Sequence, residues 1–358
     1  MYKKFRLLAA FLFLFILLIS MTACRADTPE LAEPSDLEVE EPLETIDPPQ
    51  EKQEPDFAYT APLTGVKVEE PTEKRPVAVM INNAPAARPQ SGLSHADQIY
   101  EVLAEGGITR LIAIFQSEGT TETVGPIRSI RPYLIEIGES YGSILAHAGG
   151  SQAAYSILQN QGKPYLDEIS NAGPYYFRSS DRKAPHNLYS SLDQLREAAV
   201  KRGYSEENKS PVYSYLDEGV QVEGEEALHF DITYLTDSYQ VSYDYDETTS
   251  TYVRSVGGKE DIDAGNGERL AAPNIIVLST AHQVLDDVGR LSVDLTSGGD
   301  AMLFQQGKVI HAKWSKKAGD IIRVTKEGKE LPLVRGKTFF SIVTNVPPLS
   351  DHVHIHTP

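Results

Sequence analysis

A single cysteine, Cys24, stands in this chain of 358 residues. No disulfide can form within one chain, so the fold has to be held by buried apolar surface and hydrogen bonding alone. The apolar surface comes in short runs. Arg75–Ile81, Leu111–Phe115 and Ser143–His147 read as buried strands, continuous in apolar character rather than alternating. Helices are predicted from Ser94 to Ala104, stopped by Gly106-Gly107, from Pro132 to about Glu139, from Ser151 to Gln161, and from Ser191 to Gly203. Strands alternating with helices imply a layered α/β unit around a central sheet.

From about residue 226 the texture changes. Ala227–Tyr234, Tyr239–Tyr245 and Thr251–Val256 alternate apolar and polar residues, parted by turns rich in Asp, Gly and Ser. Further strands are predicted at Asn274–Ser279, Arg290–Leu295, Lys308–Trp314, Ile321–Val324 and Thr338–Val343. The whole therefore reads as α+β. An α/β domain with a central sheet spans 59–205, a connector 206–225, a smaller β-rich domain 226–346 and a tail 347–358. Trp314, the only tryptophan, is expected in the β-rich core.

The N-terminus sets the compartment. Lys3, Lys4 and Arg6 precede an apolar run from Leu7 to Ile19, and Met21-Thr22-Ala23-Cys24 follows. A short apolar stretch closed by small residues is a secretion signal, not a spanning helix. With cysteine at its end it resembles a bacterial lipobox, with Met21 where leucine is usual. Removal of residues 1–23 would leave Cys24 to carry a lipid, palmitate among its acyl chains, and to anchor the protein at the extracytoplasmic face of the cell membrane. Residues 24–58 then read as a tether. Within 25–56 there are 12 acidic residues, 2 basic ones and 6 prolines, too little apolar surface to fold. The chain's net charge of -18 excludes bulk electrostatic binding of nucleic acid.

Against that acidity the arginines stand out. From 80 to 190 there are six Arg and two Lys, whereas from 206 onward there are five Arg and nine Lys. Arginine presents a planar fork to carboxylate or phosphate and tolerates loss of water better than lysine. Two of the six, Arg128 and Arg131, lie in Val124-Gly125-Pro126-Ile127-Arg128-Ser129-Ile130-Arg131-Pro132. Pro132 pushes Arg131 toward extended geometry and suits the first helical turn. Arg131 is thus expected at a strand-to-helix junction, beside free N–H groups that favour an anion. His147-Ala148-Gly149-Gly150-Ser151 is a second such junction. Phe177–Tyr189 is a third polar stretch, holding Arg178, Arg182, His186 and Asn187.

Five separated motifs carry a resemblance: Arg88–Leu93, Glu105–Arg110, Gly125–Pro132, His147–Ser151 and Ala184–Tyr189. In that order they are similar to the YerB-like bacterial lipoproteins, over about residues 60–345. Tyr252–Gly258 and Gly307–Ile310, followed by Trp314, match more loosely. The resemblance implies an exported, membrane-tethered protein of two domains and implies no particular reaction.

Each motif also has a plain structural reading. Glu101, Glu105 and Arg110 could lock Arg128 or Arg131 into internal ion pairs. Ser151 suits a helix cap better than a nucleophile, because Gly149-Gly150-Ser151-Gln152-Ala153 lacks a nucleophile elbow. His147 and His186 are candidates for acid and base, or for loop-bracing hydrogen bonds. Asn82 and Asn83 could hold a polar ligand or shape a turn. His352, His354 and His356 share one face if extended, but no metal is assigned to them at a chain end. Asp261–Glu268 lacks the spacing of a calcium loop and reads as a turn. No cofactor is expected.

The function expected is binding of an anionic or polyhydroxylated envelope ligand through clustered arginines. The candidate residues are Asn82, Asn83, Arg88, Glu101, Glu105, Arg110, Arg128, Arg131, Ser151, Arg178, Arg182 and Asn187. Two alternatives stay open. One is a hydrolase or transferase acting on an envelope polymer with His147 and His186. The other is a scaffold that holds a protein partner on its β-rich domain.

Overall fold

The computed structural model describes residues 59–117, 123–235 and 239–356; the signal, Cys24 and the tether lie outside them. The described chain is mixed and mostly sheet, with four helices among the described residues. In the first part come β1 (Val77–Asn82), β2 (Gln98–Leu103), β3 (Thr109–Phe115), β4 (Ile144–His147) and β5 (Tyr165–Asp167). Helices α1 (Pro132–Ser140), α2 (Gln152–Asn160) and α3 (Leu192–Lys201) belong to the same part. The second part holds β6 (His229–Thr233), β7 (Gln240–Asp246), β8 (Thr251–Val256), β9 (Asn274–Thr280), β10 (Gly299–Gln305), β11 (Lys308–Ser315), β12 (Arg323–Lys326) and β13 (Thr338–Thr344). The single turn α4 (Leu349–His352) and β14 (Val353–His356) close the described chain.

Both parts build one sheet. Its order is β12-β11-β10-β9-β13-β2-β3-β1-β4-β5, with Lys329–Glu330 outside β12 and Glu225–Glu226 beside β11. The join is β13, which pairs parallel to β9 on one side and parallel to β2 on the other. A second sheet, β8-β7-β6-β14 with two short added strands, covers part of one face. There Phe230 of β6 stacks on Phe304 of β10, ring centroids 3.7 Å apart. Leu192, Leu195 and Ala198 of α3 join the same core. On the opposite face Met80, Ile112 and Leu145 meet Leu134 and Ile137 of α1 and Leu158 of α2. Gly138 permits that closeness, since a Cβ there would lie 2.3 Å from Leu145 Cδ2. Trp314 is buried and donates from Nε1 to Ser279 O at 2.9 Å.

The helix starts follow their local signals. Arg131 is extended before Pro132, while Ser151 and Ser191 cap α2 and α3 by accepting from Ala154 N and Gln194 N, each at 3.2 Å. Three expectations are corrected. The helix predicted over Ser94–Ala104 is a 3-10 turn, Leu93–His95, followed by β2. This strand lies between β13 and β3 and is buried on both faces, so its polar members mark internal partners rather than a wet helix face. The strand β10 was not foreseen. It joins β11 through the two-residue turn Gln306-Gly307, with φ of 52° and 70°, a hairpin geometry that Asn-Gly usually announces. Residues 349–356 are not a tail, because β14 pairs with β6 and buries Val353.

Candidate functional site

The extended segment 124–131 is held on three sides. Arg128 N donates to Met80 O (2.8 Å) and Asn82 N to Pro126 O (2.8 Å), which lays the segment against β1. Ile127 N donates to Leu188 O at 2.6 Å, and Val124 bridges Ser190. On the third side Ala148 N donates to Arg128 O (3.1 Å), Ile130 N to Gly149 O (3.0 Å) and Ser151 N to Ile130 O (3.4 Å). The two strand-to-helix junctions therefore run side by side, and α1 and α2 begin next to each other.

Three arginines meet there. Arg110 lies across the strand pair from Asn82 and is 4% exposed. Its Nη1 donates to Ser129 O at 2.9 Å, its Nη2 lies 3.8 Å from Glu105 Oε2, and its buried Nε has no partner. Burial, followed by repulsion from Arg131 and Arg128, lowers its pKa to about 10 against the pull of Tyr133 and Glu105. Arg131 donates from Nε to Glu105 Oε1 and from Nη1 to its neighbour's carbonyl, Ile130 O, at 2.8 Å. Arg128 is half-buried, and among the described residues nothing hydrogen-bonds or ion-pairs with its guanidinium. Burial and then the charge of Arg131 lower its pKa, with Glu105 opposing. Arg110 and Arg131 thus share the Glu105 carboxylate, Arg128 stands beside them without a bonded partner among the described residues, and positive charge is left over near the start of α1.

The other arginines lie apart from this trio. Arg88 sits over the Tyr239 ring, Cζ 5.2 Å from its centroid, in a hollow of about 480 Å³ lined also by Asn83, Gly106 and Gly107. Arg178 reaches Asn187 Oδ1 (3.2 Å) and Glu168 (3.3 Å), while Asn187 donates to Ser179 O at 3.0 Å. Arg182 donates to Ala87 O and to Pro89 O. The six arginines do not form one pocket, because Arg178 is spent on Asn187 and Glu168, and Arg182 ties its loop to the Ala87–Pro89 segment. Asn82 Nδ2 bonds His186 Nδ1 at 2.9 Å. His147 is fully buried, with Nδ1 2.9 Å from Gly149 O and 3.5 Å from Asp167 Oδ1, and with no partner for Nε2. Burial lowers its pKa to about 4, so it is a neutral brace beneath the glycine loop.

Family models match most of the described chain. The model described as "Protein of unknown function (DUF3048) N-terminal domain" matches residues 63–205, and that of its C-terminal domain matches 230–340. The chain belongs to the DUF3048 family. The Bacillus subtilis (strain 168) protein named "Putative lipoprotein YerB" is 40% identical over 290 residues, 80% of this chain and 86% of its own. The crystal structure of the YerB protein from Bacillus subtilis matches with a TM-score of 0.76 at 39% identity, covering 84% of this chain and 100% of that one. The resemblance carried by the five sequence motifs is borne out.

The two DUF3048 regions are locked by a buried polar network that absorbs two of the candidates. Glu101 Oε1 accepts from Thr109 Oγ1 (2.6 Å), Asn83 Nδ2 (3.0 Å) and the Tyr239 hydroxyl, and Oε2 accepts from Arg254 Nη2 at 2.6 Å. Arg254 Nη1 pairs with Asp261. Glu101 therefore does not hold Arg128 or Arg131, and Asn83 is engaged within the protein. Asp263 accepts from Gly92 N (2.9 Å), Ser94 N (2.8 Å), Ser94 Oγ (2.9 Å) and Gly265 N (2.8 Å), so the acidic loop is a turn that fastens the two regions. Sequence reasoning missed Tyr239, Arg254, Asp261 and Asp167. Asp167 lies at the end of β5 and accepts from Gly149 N and Tyr155 OH, each at 2.8 Å. The one available signal was Arg254, a charged residue in a strand whose Tyr252, Val253 and Val256 are buried.

Proposed function

We propose that this DUF3048 protein is an envelope lipoprotein whose N-terminal region binds an anionic ligand. Arg110, Arg128 and Arg131 hold the ligand's acidic groups, and the adjoining starts of α1 and α2 lend their N-terminal dipoles. The observation that carries this reading is Arg128. Its charge is opposed by burial and by Arg131, and among the described residues no carboxylate bonds it. A surface cation kept for solubility would have been cheaper as an exposed lysine. An anion bridging Arg128 and Arg131 would relieve both penalties at once.

The Bacillus subtilis relative is named a "Putative lipoprotein", which supports reading Cys24 as the lipid attachment site. No helix among the described residues is long and apolar enough to cross a membrane, which agrees with an anchor outside them. Acid–base work by His147 and His186 gains no support from a fully buried His147.

Calorimetric titration with a glycerol-phosphate oligomer and with a soluble peptidoglycan fragment tests the reading and separates phosphate from carboxylate. Binding that weakens with rising salt and falls at least tenfold in Arg128→Lys is expected, because lysine keeps the charge and loses the fork. Equal affinity in the lysine variant sinks the reading.

A further inference from the structure

The C-terminal histidines enter a cluster that their own sequence run does not show. Antiparallel pairing of β6 and β14 sets His229 opposite His356 and Asp231 opposite His354. Phe230 and Ile232 turn into the core, so His229 and Asp231 share the outer face of β6. The rings of His229 and His356 lie 4.5 Å apart at their centroids. His356 Nε2 is 2.7 Å from Asp231 Oδ2, and His229 Nε2 is 3.9 Å from Asp231 Oδ1. One ligand atom from each of the three residues falls within 4.8 Å of the other two.

We propose that His229, Asp231 and His356 bind a first-row divalent metal ion, zinc by ligand chemistry, which staples the C-terminal strand to the second sheet. Two imidazoles and one carboxylate suit zinc, whereas calcium and magnesium want oxygen alone. Zinc bonds of about 2.0–2.2 Å would draw the three atoms in by a small side-chain rotation. The support behind the ligands is in place. Asp244 Oδ1 lies 2.6 Å from His229 Nδ1, which fixes the proton there and leaves the Nε2 lone pair facing Asp231. His354, across from Asp231 on the same strand face, is at hand for a fourth bond, or water takes that place. His352, the third member of the run, is spent elsewhere: it is buried, with Nδ1 2.7 Å from Thr233 O.

Zinc titration of the full-length protein in detergent, without a histidine tag, tests the site, with visible absorption of the cobalt form as a second readout. One equivalent of zinc and a tetrahedral cobalt spectrum are expected. His229→Gln and His356→Gln should each weaken zinc at least tenfold while circular dichroism stays native, and the exposed His311→Gln should change nothing. Asp244→Asn should weaken binding by roughly tenfold, as loss of such support commonly does. Absent zinc binding overturns the proposal. So does wild-type affinity in His229→Gln with loss in His354→Gln, since the metal would then sit on the terminal run alone.

Discussion

Arg254 and Glu101, 153 residues apart in the chain, form a buried ion pair with Nη2 2.6 Å from Oε2. Each is 4% exposed at its side chain. Arg254 also holds Asp261, so one cation keeps two buried carboxylates from facing each other bare. This pair, beside the shared strand β13, makes the two DUF3048 regions one folded body.

Arg254→Met should therefore destabilise strongly, by about 3–5 kcal/mol, because it leaves buried charge uncompensated. Arg254→Met combined with Glu101→Gln and Asp261→Asn should recover part of that loss. Chemical denaturation of the wild type, the single variant and the triple variant checks this. A triple variant no more stable than the single one would contradict it.

Arg128→Gln should leave stability unchanged or slightly raised, since among the described residues no carboxylate bonds this cation, and burial and Arg131 outweigh the pull of Glu105 on its charge. The same variant should lose binding of the phosphate oligomer. Melting curves with and without that oligomer separate the two effects. Lower stability without ligand would show that Arg128 serves the fold.

His147 makes the fold acid-sensitive. Its folded value of about 4 lies below the ordinary 6.5, so the unfolded chain takes up the proton first. Stability is full above about pH 6.5 and falls as pH drops toward 4, by roughly 3 kcal/mol in all. His147→Gln should flatten the stability profile over that window, measured by urea unfolding at fixed pH steps. An unchanged slope would place the proton elsewhere.

Ser151→Ala should cost about 1 kcal/mol through loss of the α2 cap, and Ser151→Asp should restore it. Rescue by aspartate is what a cap allows and a nucleophile does not. Thermal denaturation of the pair reads this directly.

The sequence alone determined what depends on near neighbours. The absence of disulfides, the starts of α1, α2 and α3, and the buried runs β1, β3 and β4 were legible, because capping and burial patterns act within a few residues. The strand-to-helix junctions at Arg131 and Ser151 were legible for the same reason. Tertiary structure decided the rest. Whether Gln98–Leu103 is helix or strand depends on β13, which arrives more than 200 positions later to pair with it. Glu101 reads as a partner for nearby arginines until Arg254 comes across the sheet. Arg110, Arg128 and Arg131 converge while Arg178 and Arg182 do not, although all five look alike in the sequence. The chain end became a strand because β6 offered it a hydrogen-bonding edge. Strand pairing and charge pairing join residues remote along the chain, and no local rule fixes which remote partner is chosen.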